Sequence, residues 1–199
     1  MEINISDKEI NDIVHRVVEN TLALPANQPE AVTTPQQSGP SNVTKKVVAI
    51  GTDHGGLDLK EHLKKELIKK GYEVIDCGTH TKESVDYPDI ALAVSKRVTS
   101  GEAWRGIIID GAGIGSCMAA NKVPGVRAAM CYDYATAVNS REHNNANVLT
   151  LGAGLIGTNL AKLIMSTWLT TEFGGGRHAK RVDKITAIGK SYYKDGQIS

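Results

Sequence analysis

Four short stretches concentrate the side chains able to do chemistry. In Gly51-Thr52-Asp53-His54-Gly55-Gly56 a carboxylate and an imidazole stand together among glycines. Such a pair can handle a hydroxyl proton or an anion, and it can equally be a local cap. Asp110-Gly111-Ala112-Gly113-Ile114-Gly115-Ser116 follows a run of isoleucines, and the N–H groups of so glycine-rich a turn can cradle an oxyanion or a phosphate. Its spacing does not match the G-x-G-x-x-G dinucleotide fingerprint, and a carboxylate beside the turn would repel a pyrophosphate. Asp110 fits a general base whose product charge the turn stabilises, or else a cap on the next turn. In Arg141-Glu142-His143-Asn144-Asn145-Ala146-Asn147, His143 can act near neutral pH or answer a helix dipole. Gly174-Gly175-Gly176-Arg177-His178-Ala179-Lys180-Arg181 sets Arg177 and Arg181 four apart on one face of a starting helix, a fork for a phosphate or a solvated basic end. No two of the six histidines have zinc-ligand spacing on a helix face, so no metal is expected.

The elements that must position these residues alternate. Strands are predicted at 47–50, 73–77, 106–109, 126–130 and 148–151, and helices at 57–70, 90–100, 134–142 and 160–170, with a final basic helix over 177–190. This period implies an α/β fold, a three-layer Rossmann-like domain with a five-stranded parallel sheet over residues 46–199. Ligands of such sheets bind at the carboxyl ends of the strands, where the first two clusters fall.

The start of the chain differs. Ser6-Asp7-Lys8-Glu9 reads as a capping box, and Ile10, Ile13, Val14, Val17 and Val18 form one apolar stripe, so residues 1–24 are predicted to hold an amphipathic docking helix. Four of the six prolines lie in residues 25–40, which marks 25–45 as a linker. Residues 1–44 carry a net charge of −4 and the remainder +5, a balance that suits a small anionic ligand. The overall +1 gives no sign of a nucleic-acid binder. No apolar run nears the ~20 residues of a membrane span, and Glu2 and Asp7 stand where a secretory signal is basic, so a cytoplasmic protein is expected. Three cysteines without C-x-x-C spacing argue against a disulfide framework.

Taken together, Asp53-His54-Gly55, Asp86-Tyr87-Pro88, Gly111 to Gly115 with Ala119-Ala120-Asn121-Lys122, Glu142-His143-Asn144, and Gly175-Gly176-Arg177-His178 with Arg181 resemble the ribose-5-phosphate isomerase B family, which includes the galactose-6-phosphate isomerase subunits. The resemblance implies a metal-free, cofactor-free aldose–ketose isomerisation of a sugar phosphate through an enediolate, in a site built between two subunits of a homodimer or tetramer. It implies that His143 assists ring opening with Asp53 nearby, and that His54, Arg177 and Arg181 hold the phosphate. Tyr87 and Asn144 would line the sugar, and the N–H groups of Gly111, Gly113 and Gly115 would face the enediolate. The best-known members have a cysteine base where this chain has Asp110, and threonine where it has Ala112. A carboxylate can shuttle a proton between adjacent carbons, so Asp110 is read as a substituted base; Cys117 is the alternative thiol, but it lies beyond the turn and reads rather as a small buried residue. Ribose 5-phosphate is the expected substrate. Galactose 6-phosphate, allose 6-phosphate, or a silent sugar-phosphate-binding or scaffold protein are the alternatives. Residues 1–24 resemble the encapsulation peptides that dock enzymes to shell or core proteins of bacterial microcompartments.

Overall fold

The computed structural model describes residues 46–192. Five parallel strands, β1 (Val47–Thr52), β2 (Glu73–Asp76), β3 (Arg105–Asp110), β4 (Ala128–Met130) and β5 (Val148–Gly152), lie in the order β2-β1-β3-β5-β4. The described helices are α1 (Leu57–Lys69), α2 (Tyr87–Thr99), α3 (Ile114–Ala120), α4 (Tyr134–Glu142), α5 (Thr158–Thr170) and α6 (Arg177–Tyr192). The predicted docking helix and linker lie outside the described residues.

The three layers follow from the alternation of side chains along the central strands. Val48, Ile50, Ile107, Ile109, Leu149 and Leu151 point to one face, where they meet Leu59, Leu63 and Leu67 of α1 and Ile164 and Trp168 of α5. Ala49, Ile108 and Val148 point to the other and meet Ala91 and Val94 of α2. A strand buried on both faces must be apolar throughout, which is why residues 107–109 are an unbroken isoleucine run.

Most predicted boundaries shifted by one to three residues, and one α-helix went unpredicted. Helix α2 begins at Tyr87, three residues earlier than expected, because Pro88 suits a first turn that needs no N–H. Strand β4 starts two residues late, at Ala128. Helix α3 is seven residues of small and apolar side chains with no polar face to give a helical period, so it read as part of the turn.

A buried lysine fixes the carboxyl end of β2. Lys60 is 0% exposed, and its Nζ donates to Asp76 Oδ1 (2.9 Å), Asp76 Oδ2 (3.0 Å) and the Thr79 carbonyl (2.8 Å). The segment held there exchanges two hydrogen bonds with the end of β1, Thr52 N–H to Gly78 O and Thr79 N–H to Thr52 O, each 2.7 Å, so it helps to seat Asp53. Burial alone would raise the Asp76 carboxyl, but hydrogen bonds from Lys64, Lys60 and the Gly78 N–H outweigh it and hold the group at about 2. Lys60→Met is expected to cost about 3 kcal/mol at pH 7, the scale of breaking a buried ion pair. A carboxylate whose folded pKa is depressed contributes stability above its unfolded pKa of ~3.9 and loses it as pH falls toward the folded value. In urea unfolding, the gap between wild type and variant should therefore shrink from pH 5 to about pH 2; a gap independent of pH would contradict the account.

Candidate active site

The first cluster forms at the carboxyl ends of β1 and β3. Asp53 N–H donates to the Ile109 carbonyl (3.2 Å), which sets the Asp53-His54 turn against the end of β3, and Asp53 Oδ1 accepts from Gly55 N–H at 3.0 Å. The His54 side chain is exposed. Tyr87, the first residue of α2, lies against Gly115: a Cβ at Gly115 would sit 2.6 Å from the tyrosine ring, so only glycine admits the ring there.

The turn after β3 is gripped from outside and converges inward. Each of its carbonyls accepts one hydrogen bond: Asp110 O from Ala153 N–H (2.8 Å), Gly111 O from Gly154 N–H (2.9 Å), Ala112 O from the Tyr132 hydroxyl (3.0 Å) and Gly113 O from the Thr150 hydroxyl (2.8 Å). Gly113 has φ +78°, and a Cβ on it would meet the Leu151 backbone at 2.9 Å. With the carbonyls turned away, the N–H groups point to one spot. The Asp110 carboxylate occupies that spot. Its Oδ1 accepts from Ala112 N–H (2.8 Å) and Gly113 N–H, and its Oδ2 from Ser116 N–H (3.0 Å) and the Ser116 hydroxyl (2.5 Å). Asp110 is 4% exposed. In this arrangement the Gly113 N–H expected to face a reaction intermediate already serves the carboxylate of its own chain, while Gly111 remains exposed at the mouth of the turn.

The second cluster is built by the ends of α4 and α6. The ring of His143 stacks on that of His178, with centroids 4.1 Å apart and planes 4° from parallel, and Gly174 N–H bonds to the Glu142 carbonyl (2.9 Å), joining the two segments. Asn144 Nδ2–H donates to Asn139 Oδ1 (3.1 Å), which turns the Asn139 amide nitrogen toward His143 Nδ1 at 2.8 Å. With Nδ1 accepting, the proton of a neutral His143 ring sits on Nε2. Arg177 and Arg181 start α6 and are exposed. Partial desolvation and the charges of His143, Arg177 and Arg181 hold His178 below its ordinary value, which favours its neutral form.

These two clusters lie at opposite edges of the sheet. Arg105, the first residue of β3, donates to the carbonyls of Trp168 (2.6 Å) and Thr171 (3.4 Å) at the end of α5, and Arg141 Nε also reaches the Thr171 carbonyl (3.3 Å). The second cluster therefore sits at the amino end of β3, while Asp110 sits at its carboxyl end. Five residues at ~3.3 Å each separate those ends by about 17 Å. One chain thus groups Asp53, His54, Tyr87, Asp110, Gly111, Gly113 and Gly115, and separately His143, Asn144, Arg177 and Arg181.

Three participants were missed from sequence. Ser116 reads as a plain small residue until its hydroxyl is seen on Asp110. Asn139 sits four residues before His143, the spacing at which helical side chains meet, and that was the available signal. His178 adjoins Arg177 but faces His143. Cys117 is half-buried, its Sγ 3.5 Å from the Ala128 carbonyl, and burial pushes its thiol up, away from the ionised form a base would need.

Residues 48–185 match the family described as Ribose/Galactose Isomerase. The chain is 46% identical over 143 residues to ribose-5-phosphate isomerase B of Escherichia coli strain K12, covering 72% of this chain and 96% of that protein. It is 45% identical over 139 residues to D-erythrulose-4-phosphate isomerase of Pectobacterium atrosepticum, covering 69% and 91% respectively. Among solved structures, that of Clostridium thermocellum ribose-5-phosphate isomerase B is similar with a TM-score of 0.73 and 56% identity, over 73% of this chain and 99% of the other. With its fold, its strand-end motifs and this extent of identity, the chain belongs to the Ribose/Galactose Isomerase family.

Proposed function

We propose that the chain interconverts ribose 5-phosphate and ribulose 5-phosphate in sites completed by a second copy of itself. The observation that carries this reading is that the family match over 48–185 contains every residue of both clusters. A site made from Asp53, His54, Tyr87 and Asp110 of one copy and His143, Asn144, Arg177 and Arg181 of another needs no residue to cross the ~17 Å between strand ends. An apolar side of α6 supports the pairing: Ile185 is 48% and Ile188 61% exposed, beside a groove of about 1000 Å³ along β4.

His143 Nε2–H donates to the ring oxygen as the furanose opens, with Asp53 receiving the hydroxyl proton. Asp110 takes the proton from C2, and the electron pair of the broken C–H bond enters the C1–C2 enediolate. Of the N–H groups expected to face the enediolate, those of Gly111 and Gly115 do not bond to Asp110, and they meet the charge that builds on the substrate. Transfer of the O2 hydroxyl proton to O1 and return of the carbon proton to C1 give the ketose. Arg177, Arg181 and His54 bind the phosphate.

Purified protein assayed against ribose 5-phosphate, galactose 6-phosphate and allose 6-phosphate should turn over the five-carbon sugar fastest. Arg177→Ala and Arg181→Ala should each weaken sugar-phosphate binding by roughly 1.5–3 kcal/mol. Preference for a six-carbon sugar would move the substrate assignment, and turnover of none of the three would favour a silent binding protein.

The proposal extends to residues 1–24 as a segment that docks to a microcompartment shell or core protein. The capping box and the stripe from Ile10 to Val18 support it, since burial of such a stripe can contribute roughly 1.5–3 kcal/mol per large side chain before ordering costs. Fused to a fluorescent protein, residues 1–24 should direct it into microcompartments in a host that makes them, and deletion of 1–44 should leave turnover near normal. Diffuse fluorescence would contradict the docking role.

A further inference from the structure

We propose that Ser116 is a positioning residue that lets Asp110 alternate between carboxylate and carboxylic acid during each turnover. The inference rests on the reading of Asp110 as the base. Four donors surround that carboxylate, and three are backbone N–H groups, which can only donate. Two of the three cannot turn away, because their peptide planes are pinned from the carbonyl side. The plane carrying Ala112 N–H is held at Gly111 O by Gly154 N–H, and the plane carrying Gly113 N–H is held at Ala112 O by the Tyr132 hydroxyl. The third N–H, that of Ser116, is fixed within α3.

The fourth donor is different in kind. The Ser116 hydroxyl, fully buried and 2.5 Å from Asp110 Oδ2, rotates about its C–O bond and is an acceptor as well as a donor. When the substrate C2–H bond breaks, its electrons stay in the enediolate and the proton goes to Asp110. A carboxylic acid surrounded only by fixed N–H donors would place its own O–H against them, the costly case of a buried donor without an acceptor. The Ser116 hydroxyl removes that conflict by turning from donor to acceptor for the new O–H on Oδ2. It turns back when the proton passes to C1 and the carboxylate returns. No atom is gained or lost over the cycle, and no co-reactant is required.

The test is turnover of ribose 5-phosphate, unlabelled and deuterated at C2, by the full chain carrying Ser116→Ala, Ser116→Thr or Asp110→Asn. For Ser116→Ala, kcat should fall about 10- to 100-fold while KM stays within about threefold, the split expected when an interaction made only during the chemical step is lost. The primary deuterium isotope effect on kcat should rise in that variant as proton transfer becomes more rate-limiting. Ser116→Thr, which keeps a hydroxyl, should recover most of the loss. Wild-type kcat in Ser116→Ala, or equal losses in Ser116→Ala and Ser116→Thr with an unchanged isotope effect, would overturn the role of Ser116 while leaving the base in place. Near-wild-type turnover by Asp110→Asn would remove the base assignment, and the inference with it.

Discussion

The site is organised by one buried carboxylate and the helix start that holds it. Asp110 ends the central strand, and its two oxygens take up the Ala112 and Gly113 N–H groups of the turn and the Ser116 N–H in the first turn of α3, a group that a helix leaves without an intrahelical partner. That contact places the Ala112–Gly113 turn, and the turn in turn is fastened to β5 and to Tyr132 through its carbonyls. Gly115 follows with no side chain, which gives Tyr87 its seat. A change at Asp110 therefore reaches the start of α3, the turn and the tyrosine together. The same feature limits the chemistry. Three of the four groups around the carboxylate can only donate, so a base in this position needs a partner that can turn to accept as the proton arrives.

The second constraint is topological. In a parallel sheet every helix runs back from the carboxyl edge to the amino edge, so whatever ends a helix lies a full strand length from whatever ends a strand. His143 and Asn144 close α4, and Arg177 opens α6 just after α5 has returned to the amino edge. Sugar-phosphate chemistry that uses both groups therefore implies association, and the proposed pairing follows from the order of elements before any interface is considered. The buried arginines Arg105 and Arg141 serve this arrangement structurally: they bind the last carbonyls of α5 and fix the point from which α6 departs.

Much of this was legible in the sequence, for physical reasons that also explain the rest. Alternation of β-branched runs with amphipathic stretches identified the three-layer sheet, because strands buried on both faces leave no polar positions. The glycine turn and Asp110 stood out for the same reason: polar and flexible residues end an otherwise apolar run. Helix α3 was hidden because it is short and built from small residues with no polar stripe. The engagement of Asp110 by its own turn was hidden as well, since a turn that can bind an external anion and one already filled by its own carboxylate are written with the same residues. The expectation that ligands bind at strand carboxyl ends located Asp53 and Asp110 but not His143, although chain order alone places the end of α4 at the other edge. Asn139 and Ser116 act through a pair of hydrogen bonds each, which composition and periodicity do not report.

The most direct test of this account mixes two variants that are damaged at opposite edges of the sheet. Asp110→Asn and His143→Ala should each be nearly inactive alone on ribose 5-phosphate. If each site takes Asp110 from one copy and His143 from another, a mixture unfolded and refolded together should regain about a quarter of wild-type turnover. Half the pairs would then be mixed, each with one of its two sites intact. A mixture no more active than its components, or an Asp110→Asn protein active by itself, would contradict it.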